Sequence, residues 1–175
     1  MGNIKLDIGC GKNKREGYIG IDKIAYEGVD CHWDVEWGLP FGDNSIEAIY
    51  ASHFLEHTQH FIFIMEEFYR VLKPNGIAEI KVPHWAGHWA FTEHHVRFFN
   101  FFSFEEFANN HRYPISKARF KILVRRFNYH LDGIFGIVYT NMMNWLSNIN
   151  SRYFEIGFAH LLPPNEIYFK LQAIK

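Results

Sequence analysis

The stretch Ile4-Lys5-Leu6-Asp7-Ile8-Gly9-Cys10-Gly11 decides the fold of this chain. It has the pattern of a short apolar strand that runs directly into a glycine turn, with a carboxylate near the strand's end. Glycine at positions 9 and 11 removes Cβ where the backbone must bend sharply and a ligand must approach the main chain. Such a turn presents backbone N–H groups at the carboxyl edge of a sheet, where open α/β folds bind ligands.

A second strand-like run, Tyr18-Ile19-Gly20-Ile21-Asp22, also ends in an acid. A carboxylate placed there can accept hydrogen bonds from both hydroxyls of a ribose, so the two runs together predict a nucleoside site. A dinucleotide fingerprint would need a third glycine at position 14, which is Lys14, and an acid about 20 residues further on. The pattern therefore disfavours a nicotinamide cofactor.

Further segments follow in the order of a known family. Over about residues 4–85 the sequence resembles the class I S-adenosylmethionine-dependent methyltransferases, in their short small-molecule branch related to methyltransferase type 11. The segments that carry the resemblance are 6–11 (motif I), 20–22 (the ribose-binding strand end), 34–45 (the adenine-side loop), 51–57 (the exit of the fourth strand) and 67–76 (similar to E-x-x-R-V-L-K-P-G-G).

The resemblance implies that S-adenosylmethionine is the cofactor and that seven residues bind it: Asp7, Gly9, Gly11, Asp22, Asp34, Val35 and Ser52. It places Asp7 at the ammonium of the methionyl part and Asp22 at the ribose hydroxyls. The two glycines would admit the methionyl carboxylate and the ribose. Asp34 would accept from the adenine amine, with the backbone of Val35 at the ring edge.

Alternating strand and helix patterns predict an α/β, Rossmann-like fold with a mainly parallel sheet and helices on both faces. The predicted strands span residues 4–8, 18–21, 31–33, 46–52, 77–82, 120–129 and 167–173. Apolar residues at a 3.6-residue period predict a helix over 61–72, which Pro74-Asn75-Gly76 would stop. Ser103 and Glu106 form a candidate capping box for another helix.

The front of the chain departs from the family. Only the nine residues Gly9–Gly17 separate the first two strands, whereas a parallel crossover takes at least about 10 to 12, so its helix should be short or absent. The chain also begins at the strand, which implies a class I fold lacking the N-terminal helix. We expect one domain, residues 1–175, whose aromatic-rich region 117–175 forms the last strands and a cover or lid over apolar sheet surface.

Composition narrows the class of partners. The formal net charge of −1 predicts no nucleic-acid partner, and no apolar run approaches the ~18 to 20 residues of a transmembrane segment. Two cysteines are too few for a disulfide framework and suit a reducing compartment. With no signal peptide at the N-terminus, the expected location is cytoplasmic.

Histidine is the candidate for catalysis. The chain has 11, and they cluster after the fourth and fifth predicted strands. A side chain that titrates near pH 6.5 suits a general base for a hydroxyl acceptor, so we predict His57, His84 and His95 as the catalytic candidates. Each also has a structural interpretation. No metal is expected, because the chain has neither H-E-x-x-H nor paired cysteines.

The class of the methyl acceptor is predicted from one short pattern. Residues 95–99 match a His-x-Arg-Phe-Phe pattern of short relatives associated with polysaccharides, which implies a small-molecule or glycan-type acceptor methylated at oxygen. A non-catalytic cofactor-binding domain that regulates or scaffolds is the alternative. The apolar run 133–146 could pack on the sheet, form a lid, meet a lipid-linked acceptor or form a homodimer interface.

Overall fold

The structure, a computed structural model, describes residues 3–108, 115–131 and 133–175. Its strands are β1 (Ile4–Ile8), β2 (Ile19–Asp22), β3 (Cys31–His32), β4 (Ile46–Ser52), β5 (Leu72–Pro83), β6 (Phe120–Asn128) and β7 (Glu166–Ala173). Its helices are α1 (Phe61–Val71), α2 (Glu105–Ala108), α3 (Ile134–Ile149) and α4 (Ser151–Gly157), with 3₁₀ turns at Val35–Trp37, Leu55–His57 and His88–Ala90.

The strands form one mixed sheet in the order β3-β2-β1-β4-β5-β7-β6. Strands β1 to β5 pair in parallel, and β7 runs antiparallel between β5 and β6. The predicted Rossmann-like α/β class with a mainly parallel sheet is confirmed. Since β1, β2 and β4 are parallel neighbours, their carboxyl ends meet at one edge of the sheet.

The crossover between β1 and β2 contains turns and no helix, as its length predicts. Hydrogen bonds to carboxylates fix this loop in place of a helix. The Oδ2 atom of Asp7 accepts from the Arg15 amide at 2.7 Å, and Oδ2 of Asp30 accepts from the Gly20 amide at 2.7 Å. Lys14 donates to Asp30 at 2.8 Å and ties the loop to the segment after β2. These bonds fix the crossover without a packed helix.

The junction of α1 and β5 differs from its prediction. The helix ends at Val71, and the chain continues at once as a strand from Leu72, which has φ −62° and ψ 140°. Pro74 disfavours helical backbone at the residue before it, so the helix cannot extend to its expected stop. The predicted stop signal 74–76 lies within β5 as an irregularity, where Asn75 has φ +64°.

Helix α1 packs its apolar stripe onto the sheet. The stripe is fully or almost fully buried and consists of Phe61, Ile64, Met65, Phe68 and Val71. At its start, the Phe61 ring makes edge-to-face contacts with Phe99, Phe104 and Phe107, with centroids 5.6 to 5.8 Å apart. This aromatic cluster joins α1 to the segment that leads into α2.

The helix predicted from Ser103 is described from Glu105 to Ala108, and residues 109–114 lie outside the described part of the chain. The Oγ atom of Ser103 accepts from the Asn100 amide at 2.8 Å, so this serine closes the turn before the helix.

Burial alternates along the central strands, so the two faces of the sheet differ. On β5, Ala78 and Ile80 are fully buried, whereas Glu79 between them is partly exposed. We call the partly exposed side the open face; strand register places on it Lys5, Tyr50, Glu79, Lys81, Tyr168 and Lys170. The other face carries the packed core.

The open face is polar and aromatic, in contrast to the apolar surface expected from the sequence. The Arg15 guanidinium lies 4.5 Å from the Tyr50 ring centroid and 5.0 Å from that of Tyr18, and donates to Glu79 at 3.1 Å. Cation–π contacts and an ion pair thus occupy a surface that helices cover in two-sided sheets. On this face, the surface that region 117–175 was expected to cover is therefore not apolar.

Helix α3 covers the edge of the sheet. The Asn148 side chain accepts from the Phe127 amide and donates to the Phe127 carbonyl, both at 2.9 Å, and Asn144 accepts from the Tyr129 amide at 2.8 Å. Because β6 is the outer strand, these bonds satisfy backbone groups that would otherwise invite another strand. In the described residues, no helix is both long and apolar enough to cross a membrane.

Replacing Phe68 by alanine should lower the free energy of unfolding by about 3 to 5 kcal/mol, because the ring is fully buried and leaves a cavity. The matched control is Phe63→Ala on the same helix, where the ring is 41% exposed and the loss should stay below about 1 kcal/mol. Denaturant unfolding of both variants measures the difference. Equal losses would contradict the orientation of α1.

Candidate functional site

A cavity of about 750 Å³ opens at the carboxyl ends of β1, β2 and β4. Its size lies within the ~300 to 1,000 Å³ of small-molecule sites. Four of the predicted cofactor residues line it: Gly9, Asp22, Asp34 and Val35. We call it the β1–β2 cavity.

Asp22 closes the glycine turn as well as lining the cavity. Its Oδ2 accepts from the Gly11 amide at 2.9 Å, and its Oδ1 accepts from the Ile24 amide at 2.8 Å. Each carboxylate oxygen has a further lone pair. Asp22 can therefore hold the turn and still accept hydrogen bonds from two hydroxyls of a ligand.

Asp34 shapes the neighbouring wall. It caps the 3₁₀ turn at Val35–Trp37, where its Oδ1 accepts from the Glu36 amide at 3.0 Å. Val35 in this turn is buried and is among the residues that line the cavity. A carboxylate and a backbone edge next to each other can recognise a planar ring with an exocyclic amine.

The two glycines of the first turn differ in their surroundings. Gly9 has φ +67°, and a Cβ there would lie 2.6 Å from Cδ2 of Phe54. Gly11 has φ +53° and open space where a Cβ would point. Gly9 is therefore required by the ring that packs on it, whereas Gly11 leaves room beside Asp22.

The other predicted cofactor residues lie outside the cavity lining. Asp7 is 3% exposed, and burial raises the pKa of its carboxyl, although the bond from the Arg15 amide opposes this. Ser52 is partly buried at the end of β4 and pairs with Lys81 of β5. In this structure Asp7 does not line the cavity and instead holds the loop between β1 and β2 through the Arg15 amide.

A second cavity of about 500 Å³ adjoins the first. It is rich in titratable side chains and is lined by His53, Glu56, His57, Trp89, Thr92, His95, His130, Asn165 and Glu166. We call it the histidine cavity. Two of its residues, His53 and His57, also line the β1–β2 cavity, so the two spaces share a wall.

Two of the three predicted catalytic histidines meet in this cavity. The rings of His57 and His95 lie 4.7 Å apart at 72°. His57 Nδ1 lies 3.1 Å from the His94 carbonyl oxygen, and His95 Nδ1 lies 3.0 Å from that of Ala90. Since a carbonyl only accepts, each Nδ1 carries a proton, and in the neutral tautomer of each ring Nε2 is the acceptor nitrogen.

The structure places the third candidate, His84, in the packed core. Its ring is fully buried, with Nε2 3.0 Å from Glu155, and Nδ1 accepts from the Ala86 amide at 3.2 Å. Burial is the largest influence on the pKa of Glu155 and would raise it, but the bond and charge of His84 together with the bonds from Trp85 and the Phe101 amide hold that pKa below its usual value. Because both ring nitrogens are engaged and His84 lines neither cavity, it is not positioned as a base.

His53 is the residue that sequence reasoning did not select. It has φ +51° and bridges two acids, with Nε2 3.1 Å from Glu166 and Nδ1 3.3 Å from Glu56. Glu166 foremost, and then Glu56, raise the pKa of His53 to about 9. Burial opposes ionisation of Glu166, but the bonds from His53 and Asn128 lower its pKa to about 2. His53 is therefore a cation at neutral pH.

Part of the chain is similar to a known protein family. Residues 23–80, about a third of the chain, match the type 11 family described as "Methyltransferase domain". No curated protein matches the sequence.

Three solved structures share the fold. YcgJ of Bacillus subtilis is 14% identical with a TM-score of 0.60, over 99% of this chain and 92% of that one. An S-adenosylmethionine-dependent methyltransferase of Archaeoglobus fulgidus is 15% identical with a TM-score of 0.52, over 97% and 86%. Phosphoethanolamine N-methyltransferase 2 of Haemonchus contortus, solved with S-adenosyl-L-methionine, is 15% identical with a TM-score of 0.55, over 100% and 49%.

The strand order is that of the class I methyltransferase fold. This fold and the match of residues 23–80 to the methyltransferase domain support a class I S-adenosylmethionine-dependent methyltransferase related to type 11. The residues present fit the cofactor: Asp22 keeps free lone pairs at the end of β2, and space beside Gly11 is open.

The raised pKa of His53 gives a pH dependence. A histidine whose folded pKa exceeds the unfolded value of about 6.5 contributes stability below pH 6.5, and this is lost as pH rises through about 9. NMR titration should show one imidazole with an apparent pKa near 9, and Glu166→Gln should move it toward 6.5. Glu105→Gln, which removes a partner of Arg125 instead, should leave it unchanged. A wild-type His53 that titrates near 6.5 would contradict the bridge.

Proposed function

We propose that this enzyme transfers a methyl group from S-adenosylmethionine in the β1–β2 cavity to a hydroxyl group in the histidine cavity. The acceptor class is a small molecule or a glycan-type compound, and the reaction is O-methylation. The observation that carries the proposal is the wall of His53 and His57 common to both cavities, because methyl transfer needs donor and acceptor side by side.

The cofactor is proposed to lie along the cavity residues described above. Asp22 would take the ribose hydroxyls, and Asp34 with the Val35 backbone would take the adenine. Gly11 and Gly9 would border the methionyl part, which Asp7 and Ser52 would support from behind. The support is the cavity lining and the carboxylate oxygens that still have lone pairs.

The acceptor proposal rests on the mixed lining of the histidine cavity. Trp89 is 61% exposed there and offers an apolar face to a sugar ring, while Thr92 and Asn165 offer hydrogen bonds. The free Nε2 of His57 or His95 would accept the hydroxyl proton. As it does so, the oxygen forms the new C–O bond, the C–S bond breaks, and S-adenosylhomocysteine leaves.

Three further expectations belong to the proposal. The chain would act as a single domain, 1–175, in the cytoplasm. A homodimer would use the apolar surface of α3, on which Phe135 is 89% and Trp145 is 65% exposed. The alternative, a cofactor-binding domain without catalysis, has less support, because the histidine cavity would then have no use.

Asp22→Ala should weaken S-adenosylmethionine binding about tenfold or more, because hydrogen bonds to a charged acceptor are worth about 1.5 to 3 kcal/mol each. Asp22 also holds the Gly11 amide, so the matched control is Asp30→Ala, which removes a similar bond to the Gly20 amide outside the cavity lining. Calorimetry should find near wild-type affinity in the control. Equal losses in the two variants would exclude direct contact with the ribose.

His57→Ala and His95→Ala should each reduce turnover of a hydroxyl acceptor about 10²- to 10⁴-fold and leave cofactor affinity nearly unchanged. Formation of S-adenosylhomocysteine from labelled cofactor measures this across a panel of sugars and small alcohols. His160→Ala, an exposed histidine outside both cavities, is the control. Cofactor binding with no turnover on any acceptor would favour the non-catalytic alternative.

A further inference from the structure

The carboxylate of Glu56 is an unusual feature of the histidine cavity. The residue is fully buried, and neither Oε1 nor Oε2 has a hydrogen-bond partner among the described residues. His53 Nδ1 lies 3.3 Å from Oε1, close enough for an ion pair but without hydrogen-bond geometry. The ion pair with His53 offsets part of the cost of burying this charge, and both carboxylate oxygens keep their capacity to bind a ligand.

The two histidines beside Glu56 make the hydrogen bond to the backbone that metal-binding histidines commonly make. His57 and His95 each donate Nδ1–H to a backbone carbonyl, which fixes the tautomer and leaves Nε2 unprotonated. Metal-binding histidines make this bond to a carbonyl or carboxylate with the nitrogen that does not bind the metal. The Glu56 carbonyl accepts from the Val96 amide at 2.9 Å, which ties the His95 segment to the turn that carries His57.

One ligand atom from each of Glu56, His57 and His95 lies within 4.8 Å of the other two. Tetrahedral ligands at about 2.1 Å from a cation lie about 3.4 Å apart, so the ligand atoms would have to approach one another by up to about 1.4 Å to complete the set. His57 is exposed and His95 is partly exposed, so both rings have room to move.

We propose that Glu56, His57 and His95 bind one divalent transition-metal cation of the zinc type. Two imidazoles and one carboxylate suit zinc, iron(II) or manganese, whereas calcium and magnesium take oxygen ligands. The remaining coordination positions would face the histidine cavity, where the acceptor is proposed to lie. This goes against the sequence expectation of no metal, since the three ligands match no H-E-x-x-H or cysteine motif.

A cation here would alter how the acceptor loses its proton. The hydroxyl oxygen would bind the cation, and its proton would pass to solvent because the charge lowers its pKa. The oxygen then forms the C–O bond as the C–S bond of the cofactor breaks, and the cation stays bound. With the cation bound, His57 and His95 would act as ligands instead of as the base proposed above, and their loss would lower turnover through the metal. This step rests on the proposed function, whereas cation binding itself does not.

The test is calorimetry of the chelator-treated full chain with ZnCl₂, in parallel with the absorption spectrum of Co²⁺ added in its place. Wild type should bind one cation with a visible Co²⁺ band of imidazole coordination. Glu56→Gln and His95→Ala should weaken binding at least tenfold. The matched control is His60→Ala, which removes a histidine that pairs with Glu36 at 2.7 Å outside the site and should bind as wild type.

Thermal unfolding with and without ZnCl₂ adds a second measurement. Zinc should raise the melting temperature of the wild type, because a cation that binds the folded state stabilises it, and should raise that of Glu56→Gln much less. An equal rise in the two proteins, or no rise in the wild type, would overturn the assignment. Zinc binding that survives Glu56→Gln, or is lost equally in His60→Ala, would also overturn it. Zinc binding without S-adenosylmethionine binding would refute the proposed function alone.

Discussion

The site depends on carboxylates that hold loops in place of helices. With no helix between β1 and β2, the crossover is fixed by Asp7 and Asp30, and the glycine turn is fixed to the end of β2 by Asp22. Each of these bonds pairs an ionised acceptor with a backbone donor, which makes it about twice as strong as a neutral bond. Asp22, which closes the glycine turn, is therefore also part of the cavity wall.

Short-range patterns in the sequence were sufficient for most of the fold. The patterns used were glycine turns, strand-end acids and the helical stripe of α1, and each depends only on residues close together in the sequence. The bounds of β1 and β4 are as predicted. The prediction began the fifth strand at residue 77, because Pro74-Asn75-Gly76 indicates a turn, whereas β5 begins at Leu72 directly after α1. No helix was predicted over the apolar run 133–146, whose role stayed open, and the asparagines of α3 at 144 and 148 satisfy the edge strand β6.

The candidate site was only partly predictable. His84 was expected at the ligand edge because it follows a strand end, yet the period of two along β5 puts it on the buried side with Ile80 and Val82. The alternation of buried and exposed residues that places His84 is visible in the sequence. The contact of His53 with Glu166 could not be predicted from the sequence, because 113 positions separate the two residues and β7 reaches β5 only through antiparallel pairing.

The buried acids in this protein differ in whether the fold supplies hydrogen bonds to their carboxylates. Asp7, Glu155 and Glu166 each accept at least one hydrogen bond, and bonds of this kind explain why they can be buried. Glu56 is buried as deeply in the lining of the histidine cavity, and neither of its oxygens accepts a hydrogen bond from the described residues. The ion pair with His53 offsets part of its charge but leaves both oxygens able to bind a ligand. Two imidazoles lie beside this carboxylate, and that combination of ligand groups favours a cation.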